Sequence, residues 1–222
     1  MLVSDAVATR RSIRSFSDRP VALEVLRRVL EKAQFAPSGC NFQPWRAKVL
    51  TNAPLRRLQE KMSSSAPQEP VEYDFSRPQA SPVHMERQRS IGAAMYGAAA
   101  VRRDDAERRT QFVNDNLVSF GARALLICYF ERFMDPPQWA DVGMWLQTVM
   151  LLLREEGLDS CAQESLSFHA RLIKQELGIC DRSHILFCGL AIGYRNEDAP
   201  VNNFTRPRAP LDEVVEFAGF EQ

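Results

Sequence analysis

The chain switches between two spacings of apolar residues. Between Val21 and Phe35, Leu26, Val29, Leu30 and Ala33 recur three and four apart, the spacing of an amphipathic helix. The run stops at "APSGCNFQPW", where Pro37, Gly39 and Pro44 forbid regular helix. "RAKVLT" then reads as a strand and "APLRRLQEKMSSS" as a helix. Before them, Ser4 can cap a short first helix that ends near Arg10. Residues 66–82 carry Pro67, Pro70, Pro78 and Pro82 among polar residues and predict a long loop, of the kind that forms a lid or binding loop. Helices follow from Pro82 to Val101 and from Ala106 to Leu117. The uninterrupted "ARALLICYF" predicts a buried strand.

Pro136 and Pro137 introduce a long helix from Gln138 to Glu156. Trp139, Val142, Leu146, Val149, Met150 and Leu153 share one face of it; Met144, Trp145, Leu151 and Leu152 lie on another. A helix apolar all round is buried all round, so this one belongs at the centre of the fold or in a subunit interface. A strand at Leu158–Cys161, a helix at His169–Leu177 and the strand "HILFCGLAIG" complete the core. The tail "NNFTRPRAPLDEVVEF" reads as extended, with a final turn or two of helix. Helices and strands mix without strict alternation, which predicts an α+β fold.

At 222 residues, 45% hydrophobic, the chain is long enough to bury one substantial core, and a single domain over 1–222 is expected. Its 28 basic and 28 acidic residues cancel, which argues against wholesale nucleic-acid binding and makes any anion site local. The cysteines (Cys40, Cys128, Cys161, Cys180, Cys188) are odd in number and lack C-x-x-C spacing, so neither a disulfide framework nor a zinc site is expected. No signal-like apolar run opens the chain, and no block is long enough to span a bilayer. The expectation is a soluble cytoplasmic protein with no membrane or metal partner.

Several self-sufficient chemistries drop out. There is no G-x-G-x-x-G, no G-K-[ST], no H-E-x-x-H and no G-x-S-x-G, and His84, His169 and His184 stand apart. An enzyme with this inventory must borrow its chemistry from a cofactor. Three polar islands have the groups a phosphate ester needs. They are Arg10, Arg11, Ser12 and Arg14 in "RRSIR"; Ser38 and Asn41 in "APSGCNFQPW"; and Arg206 and Arg208 in "TRPRAP". Taken singly, each reads as readily as a solvated corner or a turn.

Their spelling and order resemble the FMN-dependent nitroreductase family. "RRSIRSF" followed by "APSGCNFQPW" looks like its N-terminal signature. "ADVGMWLQTVMLLLREEGLDSCAQES" looks like its central helix and flavin-flanking strand, and "LAIGYRNEDAPVNNFTRPRAPLDEVVEF" like its C-terminal segment. The resemblance covers most of the chain outside roughly residues 62–105. It implies a nitroreductase-like fold: a central, mostly antiparallel sheet flanked by helices, in an intertwined homodimer.

The site residues come over from the resemblance position by position. Arg10 and Arg208, with Arg11 and Arg206 beside them, would hold the FMN phosphate. Ser12 would bond the ribityl chain or phosphate, and Arg14 would sit near the pyrimidine edge. Pro37, Ser38 and Asn41 would reach the same FMN from the other subunit. Glu164 and Ser165 match the stretch whose backbone would pass the flavin N5, Gln163 would be a further flavin contact, and Phe120 would line the substrate pocket. The variable region 62–120 would supply lid and pocket. The implied reaction passes hydride from NAD(P)H through FMN to a small-molecule acceptor, a nitroaromatic or quinone, by a ping-pong mechanism. Reductive dehalogenation or ene reduction on the same scaffold is the alternative, and from another class a non-catalytic FMN or phosphate sensor. The sequence departs from the pattern at Ala162, where proline is usual, and at Arg123 in "SFGAR".

Overall fold

The computed structural model describes residues 1–75 and 77–220. Ser76, inside the segment expected to form a lid, and Glu221 and Gln222 lie outside the described residues. Strand β2 (Ala124–Glu131) is nearly all apolar because both of its faces are covered. Alternate residues point opposite ways. Ala124, Leu126, Cys128 and Phe130 enter one core, while Leu125 and Ile127 enter another. Strands β1 (Arg46–Thr51), β3 (Asp159–Gln163) and β4 (His184–Gly193) complete one sheet in the order β1-β2-β4-β3. Every neighbouring pair of strands is antiparallel.

Of the helices, α1 (Val3–Thr9), α2 (Leu23–Ala33) and α6 (Pro136–Glu155) accompany the first core. There α2 contributes Leu26, Val29 and Ala33, and α6 contributes Val142, Trp145, Leu146, Val149 and Leu153. Trp145 stacks on Trp45 with ring centroids 6.0 Å apart and planes within 5°. Helices α3 (Asn52–Ser63) and α7 (Ala170–Glu176) fill the other side with Leu55, Leu58, Met62, Ala170 and Ile173. Helices α4 (Pro82–Ala98) and α5 (Ala106–Asn114) lie over the rest, and α4 has no buried residue at all.

A bulge beside Cys128 and Tyr129 shifts the β2–β4 register, so Ile185, Phe187 and Cys188 all reach the first core. Further along β4, Gly189 faces the second core. A Cβ there would collide with Leu166 Cδ1 and crowd Leu125 Cδ1. Gly189→Ala should therefore cost about 1–3 kcal/mol by overpacking, read as a lower urea midpoint at unchanged m-value.

Three expectations change. Ser4 does not cap α1. The Asp5 carboxylate does, accepting from the Leu2 N–H at 3.2 Å, because a carboxylate in the first turn reaches back to an unpaired amide. Helix α6 is buried on one side only. Met144 (41% exposed) and Gln147 lie open on the other, while Trp145 and Leu152 of the expected second face turn into the first core. Residues 66–75 are no free loop. Gln68 N–H donates to Phe168 O at 2.7 Å, Tyr73 OH to Phe187 O at 2.5 Å, and Glu72 is buried against Lys174. The tail runs extended past Asn203, with a 3₁₀ turn at Leu211–Glu213, and leaves Leu211, Val214, Phe217 and Phe220 exposed.

Candidate functional site

Edge strand β3 is finished by the N-terminal segment. Ile13 N–H donates to Ser160 O at 3.0 Å, in a parallel bridge between Ser12 and Ser160. Ile13 itself is fully buried with Phe16, Phe120, Cys161 and Ala191. This anchors the residues on either side of Ile13, so Arg10, Arg11, Ser12 and Arg14 are laid along the sheet edge in fixed register.

The C-terminal segment returns across them. Asn202, only 2% exposed, accepts from Arg14 N–H at 2.9 Å and donates to Ser15 O at 2.8 Å and Asn196 O at 2.9 Å. Arg11 Nη1 donates to Phe204 O at 2.6 Å. Arg206 donates to the carbonyls of Arg10 and, at 2.9 Å, of Ala8. Residues nearly two hundred positions apart thus form one strap.

The result is a cleft of about 1180 Å³ lined by Arg10, Arg11, Ser12, Arg14, Arg206 and Arg208, with α4 and its connection to α5 completing the lining. Among the described residues no acidic side chain lines it. Among the described residues none of these arginines is within ion-pair distance of a carboxylate. Burial, then the neighbouring Arg208, pushes Arg10 below the usual guanidinium value. Burial and the charges of Arg11, Arg10 and Arg208 do the same to Arg206. Crowding like charges without counterions costs energy that a bound anion relieves, and guanidinium forks match phosphate oxygens.

The other expected site residues fall elsewhere. Gln163 is buried beside Asn116, to whose backbone carbonyl its Nε2 donates at 2.8 Å, while its Oε1 has no partner among the described residues. Ser165 Oγ bonds the Asn116 side chain at 3.0 Å, and Glu164 is exposed. Pro37, Ser38 and Asn41 do not line the cleft. Their loop is pinned from α6, where buried Asp141 accepts the Gly39 N–H at 3.1 Å and 3.2 Å, and it leaves Pro37 and Asn41 exposed. Phe120, 7% exposed, sits in the cluster under the N-terminal segment rather than on the cleft lining, and its carbonyl accepts from Phe16 N–H at 3.2 Å.

Sequence reasoning missed Asn202, Asn116 and Asp141. A lone amide carries no motif, and only Asp141, beside the polar Gln138 at the start of an otherwise apolar helix, left a signal. Arg123, at the departure from the family pattern, is paired with Asp18.

Two titrating groups bear on stability and reactivity. Burial pushes the Cys161 thiol up to about 11, against the opposing pull of Arg14 and Arg10, so it stays a neutral, inert thiol at physiological pH. Burial lowers His169, whose Nδ1 finds no partner among the described residues. The folded chain then binds fewer protons than the unfolded chain as pH falls below about 6.5, and stability is lost from there downward. Urea midpoints measured from pH 8 to pH 5.5 should fall with pH, and His169→Gln should flatten that slope.

Among the described residues no group of three or more metal-ligating side chains converges, and no helix is long and apolar enough to cross a membrane. A family model described as "Nitroreductase family" matches residues 7–194. The 4-nitrobenzoate reductase of Pseudomonas putida is 32% identical over 97% of this chain and 95% of its own length. Among solved structures, an FMN and NADPH-dependent nitroreductase NfnB from Sphigopyxis sp. superposes with a TM-score of 0.94 at 43% identity, covering 99% of this chain and all of its own. The FMN-dependent nitroreductase NfnB from Mycobacterium smegmatis in complex with NADPH gives a TM-score of 0.91 at 29% identity, covering 98% of each chain.

Proposed function

Since the chain belongs to the nitroreductase family, we infer that it is an FMN-dependent oxidoreductase that carries reducing equivalents from NAD(P)H to a nitroaromatic acceptor. The observation that carries this reading is the cleft lined by arginines from both ends of the chain, with no acid among the described residues to neutralise them. The donor set fits a phosphorylated flavin. Arg10, Arg206 and Arg208, with Arg11 beside them, would hold the phosphate dianion, and Ser12 adds a hydroxyl at the same wall. The unpartnered Oε1 of Gln163 is a buried acceptor awaiting a donor.

FMN, when bound, supplies the two-electron redox couple that no side chain here provides. The chain's own part is positioning and a fixed field. Arg14, its backbone locked by Asn202, places a permanent cation on the cleft wall, where it stabilises negative charge without a proton changing hands. The Asn116 bonds to Gln163 and Ser165 hold the chain at the end of β3 in one conformation.

The working unit of this reading is a homodimer in which Pro37, Ser38 and Asn41 of the partner subunit complete the site. The uncovered α6 face at Met144, the exposed Phe42 and the apolar tail from Leu211 to Phe220 support it, because exposed apolar surface of this extent marks an interface. The test is oxidation of NADPH, followed by absorbance, with and without a nitroaromatic. Parallel double-reciprocal lines support successive use of one site by donor and acceptor, and no acceptor-dependent oxidation rejects the reading.

A further inference from the structure

The same cleft carries a second set of arginines. Arg89 on α4, Arg103 on the connection to α5 and Arg109 on α5 also line it. They are a separate group. The guanidiniums that depress Arg10 and Arg206 come from the two chain ends and β4's C-terminal side, and none comes from α4 or α5.

On the same elements two arginines outside the cleft lining are paired, while Arg108 has no ion pair among the described residues. Arg87 pairs with Glu213 at 2.9 Å and Arg102 with Asp104 at 2.6 Å. The side chains of Arg89, Arg103 and Arg109 have neither an ion pair nor a hydrogen bond among the described residues. Arg109 lies over the Tyr96 ring, 4.8 Å from its centroid, and that ring packs on Phe112 at 5.4 Å. Stacking occupies the face of a guanidinium and leaves its in-plane N–H groups free for an anion.

We propose that Arg89, Arg103 and Arg109 form a second anionic subsite that receives a charged group carried by a substrate, with Tyr96 beneath as the aromatic wall. The proposal rests on the oxidoreductase reading above and deepens it. The shared chemistry is a carboxylate or phosphate on a molecule whose reacting ring lies deeper in the cleft. The carboxylate of an aromatic acceptor is one source, and the extra phosphate of NADPH is the other. Arg89 and Arg103 are exposed and Arg109 is half-buried, so the cluster can be reached by a charged group entering the cleft.

Calorimetric titration of the flavin-loaded protein with benzoate and with benzamide, its neutral isostere, reads binding apart from turnover. KM values for 4-nitrobenzoate, 4-nitrobenzamide, NADPH and NADH read the sources. In wild type, benzoate should bind more tightly than benzamide or NADPH should have the lower KM. In Arg103→Ala the discriminating ratio should fall about tenfold, equivalent to about 1.4 kcal/mol. Arg109→Lys, which keeps the charge, should lose less than Arg109→Gln. A fall confined to the benzoate and nitrobenzoate ratios assigns the subsite to the acceptor, and one confined to NADPH over NADH assigns it to the nucleotide. Either supports the proposal. Ratios that stay at their wild-type values in every variant overturn it while 4-nitrobenzamide is still reduced. Failure to reduce either nitroaromatic overturns the oxidoreductase reading and the proposal together.

Discussion

Arg10→Ala and Arg208→Ala should each weaken FMN binding by about 10- to 100-fold, while riboflavin binding stays within about threefold of wild type. A charge-assisted hydrogen bond contributes about 1.5–3 kcal/mol, and the phosphate is the only part of FMN that riboflavin lacks. Both arginines line the cleft, and neither makes an ion pair whose loss would complicate the result. Arg208 is the cleaner of the two, because among the described residues its side chain bonds only the adjacent Pro207 carbonyl at 2.8 Å. Arg206→Ala should do more than weaken FMN. It also cuts the strap to the carbonyls of Ala8 and Arg10, so its thermal midpoint should drop where that of Arg208→Ala does not. Quenching of flavin fluorescence on titration measures both affinities. Equal loss of FMN and riboflavin affinity in Arg208→Ala would mean that the side chain shapes the cleft and does not hold the phosphate.

Lys174→Ala should be the most damaging single change to the fold. Lys174 is fully buried on α7, where its Nζ donates to Glu72 Oε1 at 2.6 Å and His184 O at 3.2 Å and pairs with Asp181 at 2.5 Å. Glu72, 4% exposed, also receives Arg132 and the Leu186 N–H, both at 3.1 Å. Removing the lysine takes away the closest charge partner of that carboxylate, leaving it Arg132 and the Leu186 N–H, and opens a cavity in place of a fully buried side chain, which together cost about 3–5 kcal/mol. For a chain of this length the melting temperature should fall by roughly 6–20 °C. Lys174→Met combined with Glu72→Gln removes both charges and should recover part of the loss. Calorimetric melting of the single and double variants checks this, and a double variant worse than Lys174→Ala would contradict it. The network also ties residues 66–75 to the core.

The main elements were legible because their periodicity was unambiguous. "ARALLICYF" could only be a strand covered on both faces, and Leu26, Val29 and Ala33 could only be a helix stripe. Tertiary partners were not legible. Prolines marked 66–82 as irregular, but nothing local shows that Glu72 will meet a lysine a hundred residues away. Helix α6 illustrates the same limit. Its composition gives two apolar faces, and a single chain covers the first together with Trp145 and Leu152 of the second but leaves Met144 open. At the site, Arg10 and Arg206 were found by residue type, yet the strap that unites them runs through Asn202, an amide with no sequence signature. Phe120 was placed by its position near a pocket, and packing takes it beneath the N-terminal segment instead.

The central claim is that the two ends of the chain converge on one phosphorylated flavin. Titrating the flavin-free protein with FMN and, separately, with riboflavin tests it most directly. The account predicts one FMN per chain, bound at least about a hundredfold more tightly than riboflavin, with that margin shrinking as salt rises. Equal affinity for the two flavins, or a protein that binds neither, would contradict it.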